Sequence, residues 1–211
     1  MCLNRVADEE QRKAGPTSFT RYFLKVDLRD LTFVIRMFRF KNEEENNMEL
    51  KKITTQDDVD TVKSFFYKTF IIKESEYDLS HISDAVTGKH NFQRLEYYLG
   101  CENGEVVGIT GVYADNADEC WLGWFGIRPE YRRKGYATKM LNLQLQMMKN
   151  YGYKICRLYT YTTINKEAIP MYLKNGFVID SEQEDHMLIL VKTLDEKACI
   201  KKWEGLPLGF V

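Results

Sequence analysis

The chain has 211 residues and a net charge of −1, with 30 lysines and arginines against 31 aspartates and glutamates. That length fits one domain with a sizeable core, and the balanced charge lacks the basic excess of a nucleic-acid binder. Five scattered cysteines without metal-type spacing predict reduced thiols, a cytoplasmic home and no metal, and no apolar run approaches the ~18 residues of a membrane span.

Residues 1–47 read differently from the rest. The stretch 31–40 is apolar and cationic with no single period, 41–47 is polar and acidic, and Asp8, Glu9 and Glu10 stand where a signal peptide has its apolar stretch. We expect an N-terminal extension here, disordered or packed outside the core, followed by a domain over 48–194. Residues 49–53 predict a strand. Thr55 and Asp58 have capping-box spacing, and Val59, Val62, Phe65, Phe66 and Phe70 recur at helical intervals. A variable stretch with Glu74, Glu76, Asp78, His81 and His90 follows. The runs 95–101 and 106–113 flank Asn103-Gly104, which predicts a hairpin with a type I′ turn. The strand expected over 120–127 leads into the basic run Arg132-Arg133-Lys134. A helix then starts near Ala137, with Ala137, Leu141, Leu145 and Met148 on one face, and ends at Gly152. Residues 155–162 read as a strand. Asn165 is placed as the cap of a helix reaching about Asn175, with Pro170 expected to kink or restart it and Gly176 closing it. Strands over 177–179 and 187–193 complete an α+β domain around one mixed sheet. The tail, 195–211, is expected to cover the sheet with Trp203 and Leu206-Pro207-Leu208.

The basic loop is the most informative segment. Gly135 permits close approach of a ligand to backbone, Ala137 keeps the next turn small, and the following helix directs its N-terminus at the same point. Arg132, Arg133 and Lys134 add positive field. Free amides with cations around them suit a pyrophosphate, although a solvated basic turn capping a surface helix has the same composition.

The run from Trp121 through Tyr131, followed by Arg132-Arg133-Lys134-Gly135-Tyr136-Ala137, resembles the acetyl-coenzyme-A loop of the GNAT superfamily of N-acyltransferases. Asn165, Ala168, Tyr172 and Asn175-Gly176-Phe177 match a later block of that family, in the expected order. The resemblance spans roughly 48–194. It implies a mostly antiparallel sheet, split at the cofactor site and flanked by helices. It implies acetyl transfer from acetyl-coenzyme A to a primary amine by direct attack, with no cysteine needed as nucleophile. Backbone amides of Arg133 to Ala137, Tyr136 included, would hold the pyrophosphate. Main-chain groups of Phe125 and Ile127 would pair with the pantetheine arm, and an N–H near Gly126 or Ile127 would face the thioester oxygen. Asn165 would touch the pantetheine or adenine side, and the phenol of Tyr172 would protonate the leaving thiolate.

The general base departs from the family pattern. Trp121 stands where some members carry glutamate, so Glu119, two residues earlier on the same strand face, is the candidate through a water, with His81 and His90 behind it. Glu74, Glu76, Asp78, Glu96, Tyr97 and Tyr98 form an acidic and aromatic set suited to a cationic amine. Tyr97 and Tyr98 should point to opposite faces, and so should Trp121 and Trp124. Partners are then a small-molecule or peptide amine, with no nucleic acid or membrane and a homodimer left open. A non-catalytic acyl-coenzyme-A-binding module of the same fold is the alternative. A nucleotide site would need a P-loop ending in Gly-Lys-Ser/Thr, which the chain lacks.

Overall fold

In the computed structural model, which describes residues 48–71, 79–164 and 166–208, one sheet organises everything else. Its strands are β1 (Met48–Lys52), β2 (Arg94–Glu102), β3 (Glu105–Ala114), β4 (Glu119–Ile127), β5 (Ile155–Tyr161), β6 (Val178–Glu182) and β7 (Met187–Thr193). They lie in the order β1-β2-β3-β4-β5-β7-β6, antiparallel throughout except where β4 meets β5. The helices are α1 (Gln56–Phe70), α2 (Ser80–Thr87), α3 (Tyr136–Asn150) and α4 (Ile169–Lys174). The N-terminal extension, Glu74, Glu76, Asp78 and Asn165 lie outside the described residues. Among the described residues no helix is long and apolar enough to cross a membrane.

Local chemistry accounts for several of these elements. The capping box at Thr55 closes as expected: the Asp58 N–H donates to Thr55 Oγ1 at 3.2 Å, and the Thr55 N–H donates to Asp58 Oδ2 at 3.1 Å. The Lys51 ammonium reaches the same carboxylate at 2.8 Å, which ties the start of α1 to β1. Asn103 (φ 52°) and Gly104 (φ 81°) both adopt the left-handed region that a type I′ turn demands. α4 begins only at Ile169, with Ala168 as its N-cap in place of the expected Asn165, so Pro170 marks the start of the helix and does not lie in its interior. It sits in the helix's first turn, where its missing N–H would have no intrahelical partner anyway.

Alternation along the strands separates two layers. Tyr98, Val112, Leu122, Cys156, Leu158, Leu188 and Leu190 face α3 and α4, where Leu141, Leu145, Met148 and Tyr172 complete one core. Leu95, Tyr97, Leu99, Ile109, Tyr113 and Trp121 face α1 and α2, meeting Val59, Val62, Phe65, Phe66 and Ile82. Tyr97 and Tyr98 therefore diverge as expected.

Trp121 and Trp124 do not. Between β3 and β4, Ile109 pairs with Gly126 but Gly111 pairs with Gly123, so Trp124 and Phe125 together oppose Thr110. This β-bulge shifts the alternation by one residue. Trp124 thereby joins Trp121 on the α1–α2 face, while Phe125 turns to the other face and packs on Tyr172 with ring centroids 6.0 Å apart.

The tail is fastened from within. The Arg157 side chain, 2% exposed, donates to Glu119 and to Asp180 at 2.9 Å each and to the Lys201 carbonyl at 2.6 Å. Trp203 packs edge-on against Trp121 at 4.9 Å, and its backbone N–H donates to Asp180.

Candidate active site

β4 and β5 pair only from Glu119 to Trp121 against Ile155 to Arg157. Beyond that rung the two strands separate, and a cleft of about 1010 Å³ passes between them. Its lining comes from both faces of the sheet. Tyr97, His81 and Trp124 contribute from the α1–α2 side, Phe125, Leu158 and Tyr172 from the α3–α4 side, and Arg133 and Gly135 to Thr138 at one end. Splitting a sheet exposes a strand edge. Among the described residues no strand pairs with the β5-facing edge of β4 from Leu122 to Ile127, the stretch that carries Phe125 and Ile127.

The end of the cleft is built from backbone. A 3₁₀ turn over Pro129–Tyr131 delivers the chain to Arg133 (φ 62°), and Gly135 (φ 83°) follows as the N-cap of α3. Two positive-φ residues in three make the kind of turn from which anion nests are built. Among the described residues no side chain caps α3, and the amides of Tyr136, Ala137 and Thr138 have no partner within the helix. A Cβ at Gly135 would meet nothing within 4 Å, which leaves room over the loop. These features fit the diphosphate of coenzyme A.

The three cations play separate parts. Arg132 donates from Nε to the Ile127 carbonyl at 3.0 Å and from Nη2 to the Thr69 carbonyl at 2.6 Å. Its guanidinium thus braces the loop against the end of α1, with its charge still at the loop. Arg133 is 88% exposed with Glu167 at 3.8 Å, and Lys134 lies 5.4 Å from the ring centre of Tyr131.

Tyr172 lines the cleft. α4 carries it into the cleft between Phe125 and Phe177, whose centroids lie 6.0 and 5.7 Å away. Burial, with Cys156 nearby, pushes its phenol well above the ordinary value, so it keeps its proton at any working pH.

Glu119 is elsewhere. Its carboxylate pairs with Arg157, and it is not among the residues lining the cleft. Removing either carboxylate would leave a buried guanidinium undercompensated, so Glu119 belongs to the clasp that holds the tail. Trp121, 1% exposed, lies beneath Trp203. His90 packs on Phe92 at 6.4 Å, off the cleft, whereas His81 lines it.

The expected acceptor set also divides. Glu96 takes Lys52 at 2.8 Å, Arg94 at 2.9 Å and the Tyr98 hydroxyl, all away from the cleft. Of that set's described members only Tyr97 lines it. Phe92, Tyr113 and Tyr159 line it as well and carried no sequence signal. Room for Tyr97 comes from two glycines: a Cβ at Gly111 would stand 2.5 Å from its ring, and one at Gly123 3.4 Å.

Comparison with known proteins places the fold and the family. The model of the acetyltransferase (GNAT) family matches residues 60–177. The fold is similar to that of the PaiA N-acetyltransferase of Thermoplasma acidophilum in complex with coenzyme A, at 19% identity over 70% of this chain and 99% of that one, TM-score 0.55. A GNAT family acetyltransferase from Elizabethkingia anophelis with acetyl-CoA bound gives 16% identity over 70% and 99%, TM-score 0.52. The ribosomal-protein-S18-alanine N-acetyltransferase of Escherichia coli gives 14% over 72% and 99%, TM-score 0.55. No curated protein matches the chain. At such identities the structures speak for the fold, and the family model, which covers more than half of the sequence from α1 to Phe177, speaks for descent. The chain belongs to the acetyltransferase (GNAT) family.

Proposed function

We propose that the chain transfers the acetyl group of acetyl-coenzyme A to a primary amine by direct attack across the split sheet. The observation that carries this reading is the shared cleft: an anion nest at one end, a proton-bearing phenol in the middle and an aromatic chamber on the opposite face. The loop amides from Arg133 to Ala137 hold the diphosphate, with Arg133 and Lys134 supplying field. The open edge of β4 at Phe125 and Ile127 receives the pantetheine arm as an added strand would be received. The amine enters from the α1–α2 side, its nitrogen bonds to the acetyl carbonyl carbon, and the carbon–sulfur bond breaks. Tyr172 gives its proton to the departing sulfur. The amine's proton leaves to water, since Glu119 is engaged by Arg157, and the Tyr172 phenolate takes a proton back from that water, so the phenol is restored as amide and thiol depart.

One observation favours a second reading, that of a module which binds acyl-coenzyme A without turnover: Trp121 occupies the place where some family members hold a carboxylate, and Glu119 does not replace it. Thiol release from acetyl-coenzyme A over a panel of amines separates the two. Release that depends on the amine and falls in Tyr172→Phe supports the transferase. Binding without release for every amine supports the module.

A further inference from the structure

The chamber on the α1–α2 side is a wall of rings. Trp124 and His81 stack with centroids 6.0 Å apart at 29°, and Tyr97 meets His81 edge-on at 5.6 Å. Phe66 and Phe70 back Trp124 at 4.8 and 4.7 Å, so its indole is held from behind. Phe92 and Tyr113, 5.5 Å apart, extend the surface. The wall exists because of two backbone features. The bulge in β4 turns Trp124 to this face, and Gly111 and Gly123 let the Tyr97 ring lie against the central strands.

Among the described residues, Glu96, next to Tyr97 in sequence, pairs with Lys52 and Arg94, and Glu119, on the strand of Trp124, pairs with Arg157. Ring faces attract one ammonium and receive an aromatic body edge-on or offset. They do not compensate the second and third charges of a polyamine once those leave water.

Resting on the transferase reading, we infer that the acceptor is a primary amine joined by a short alkyl chain to an aromatic ring, with the ring lodged against Trp124, His81 and Tyr97. The amine then points through the split towards the thioester, and the ring stays on the α1–α2 side. Trp124 sets the preference, since it sits at the split itself and presents the largest ring.

The test compares 2-phenylethylamine, n-hexylamine and spermidine as acceptors for the full chain. kcat/KM for 2-phenylethylamine should exceed both others by about tenfold or more. Trp124→Leu should raise its KM by about tenfold with coenzyme A affinity unchanged, and Trp124→Phe should recover most of the loss. Melting temperatures confirm that both variants fold. Equal or better use of spermidine or n-hexylamine overturns the inference while leaving the transferase intact, as does an unchanged KM in Trp124→Leu. Calorimetry of 2-phenylethylamine on the coenzyme A-saturated chain distinguishes the remaining case. Binding without turnover keeps the aromatic acceptor site and removes the transferase, whereas no binding removes the site.

Discussion

At its α3 end the cleft is made of main chain: two left-handed residues, uncapped helix amides and a glycine with open space above it. On its α1–α2 side it is made of side chains, and those rings come from α2, the loop before β2, and β2, β3 and β4, with α1 behind them. In the proposed transferase the first wall would meet the diphosphate common to every coenzyme A ester, and the second would meet the acceptor. A wall of backbone tolerates changes in its neighbours but not in its own dihedral angles. A wall of rings can be altered one substitution at a time without disturbing the loop.

The largest expected effect lies in the backbone wall. Gly135→Glu places a carboxylate in the nest and forces a Cβ into the left-handed region, so coenzyme A affinity by calorimetry should fall by roughly a hundredfold or more. The fold should survive, since nothing stands within 4 Å of the new Cβ. Equal affinity would place the diphosphate elsewhere.

Between the walls, Tyr172→Phe should lower kcat by about a hundredfold while leaving coenzyme A binding within about twofold. Parallel losses in both would make Tyr172 a packing residue only.

Arg132→Lys keeps the charge and loses the fork that reaches both Ile127 and Thr69. If Arg132 is a brace, coenzyme A affinity drops roughly tenfold despite the retained charge. If it acts through its field, affinity hardly moves.

The smallest effect concerns the foundation of the ring wall. The Lys51 ammonium, joined by the Thr54 and Thr55 amides, holds the Asp58 carboxyl well below the usual carboxylate range. A lowered folded-state value means stability that is fully present above the ordinary carboxylate pKa of about 3.9 and lost as pH falls further through the folded value. Asp58→Asn should cost about 1–2 kcal/mol in urea unfolding at neutral pH, and the gap from the parent should close in strong acid. A gap that persists there would trace the loss to packing instead of charge.

The same contrast separates what could be read in the sequence from what could not. The loop, the hairpin turn and the capping box are local: their residues are neighbours in the chain, and their dihedral or hydrogen-bond demands select glycine, asparagine, threonine and aspartate. The ring wall is not local. Counting by twos puts Trp124 opposite Trp121, and the count fails because Thr110 on β3 faces two residues of β4. No composition signal announces that extra residue, although glycines at 123 and 126 flank it. Alternation puts Glu119 on the face of Trp121. Its partner Arg157 lies 38 positions away, and the ion pair decides its role. Pro170 was a matter of position, since a helix that begins one residue earlier accepts it without strain.

The extra residue in β4 has an evolutionary corollary. Deleting Phe125 would heal the ladder opposite Thr110, and the indole before it would swing to the far layer of the sheet. One lost codon would then empty the chamber on one side and crowd Tyr172 on the other. Length changes of one residue at this rung offer a lineage a way to exchange one acceptor for another while the diphosphate grip stays as it was.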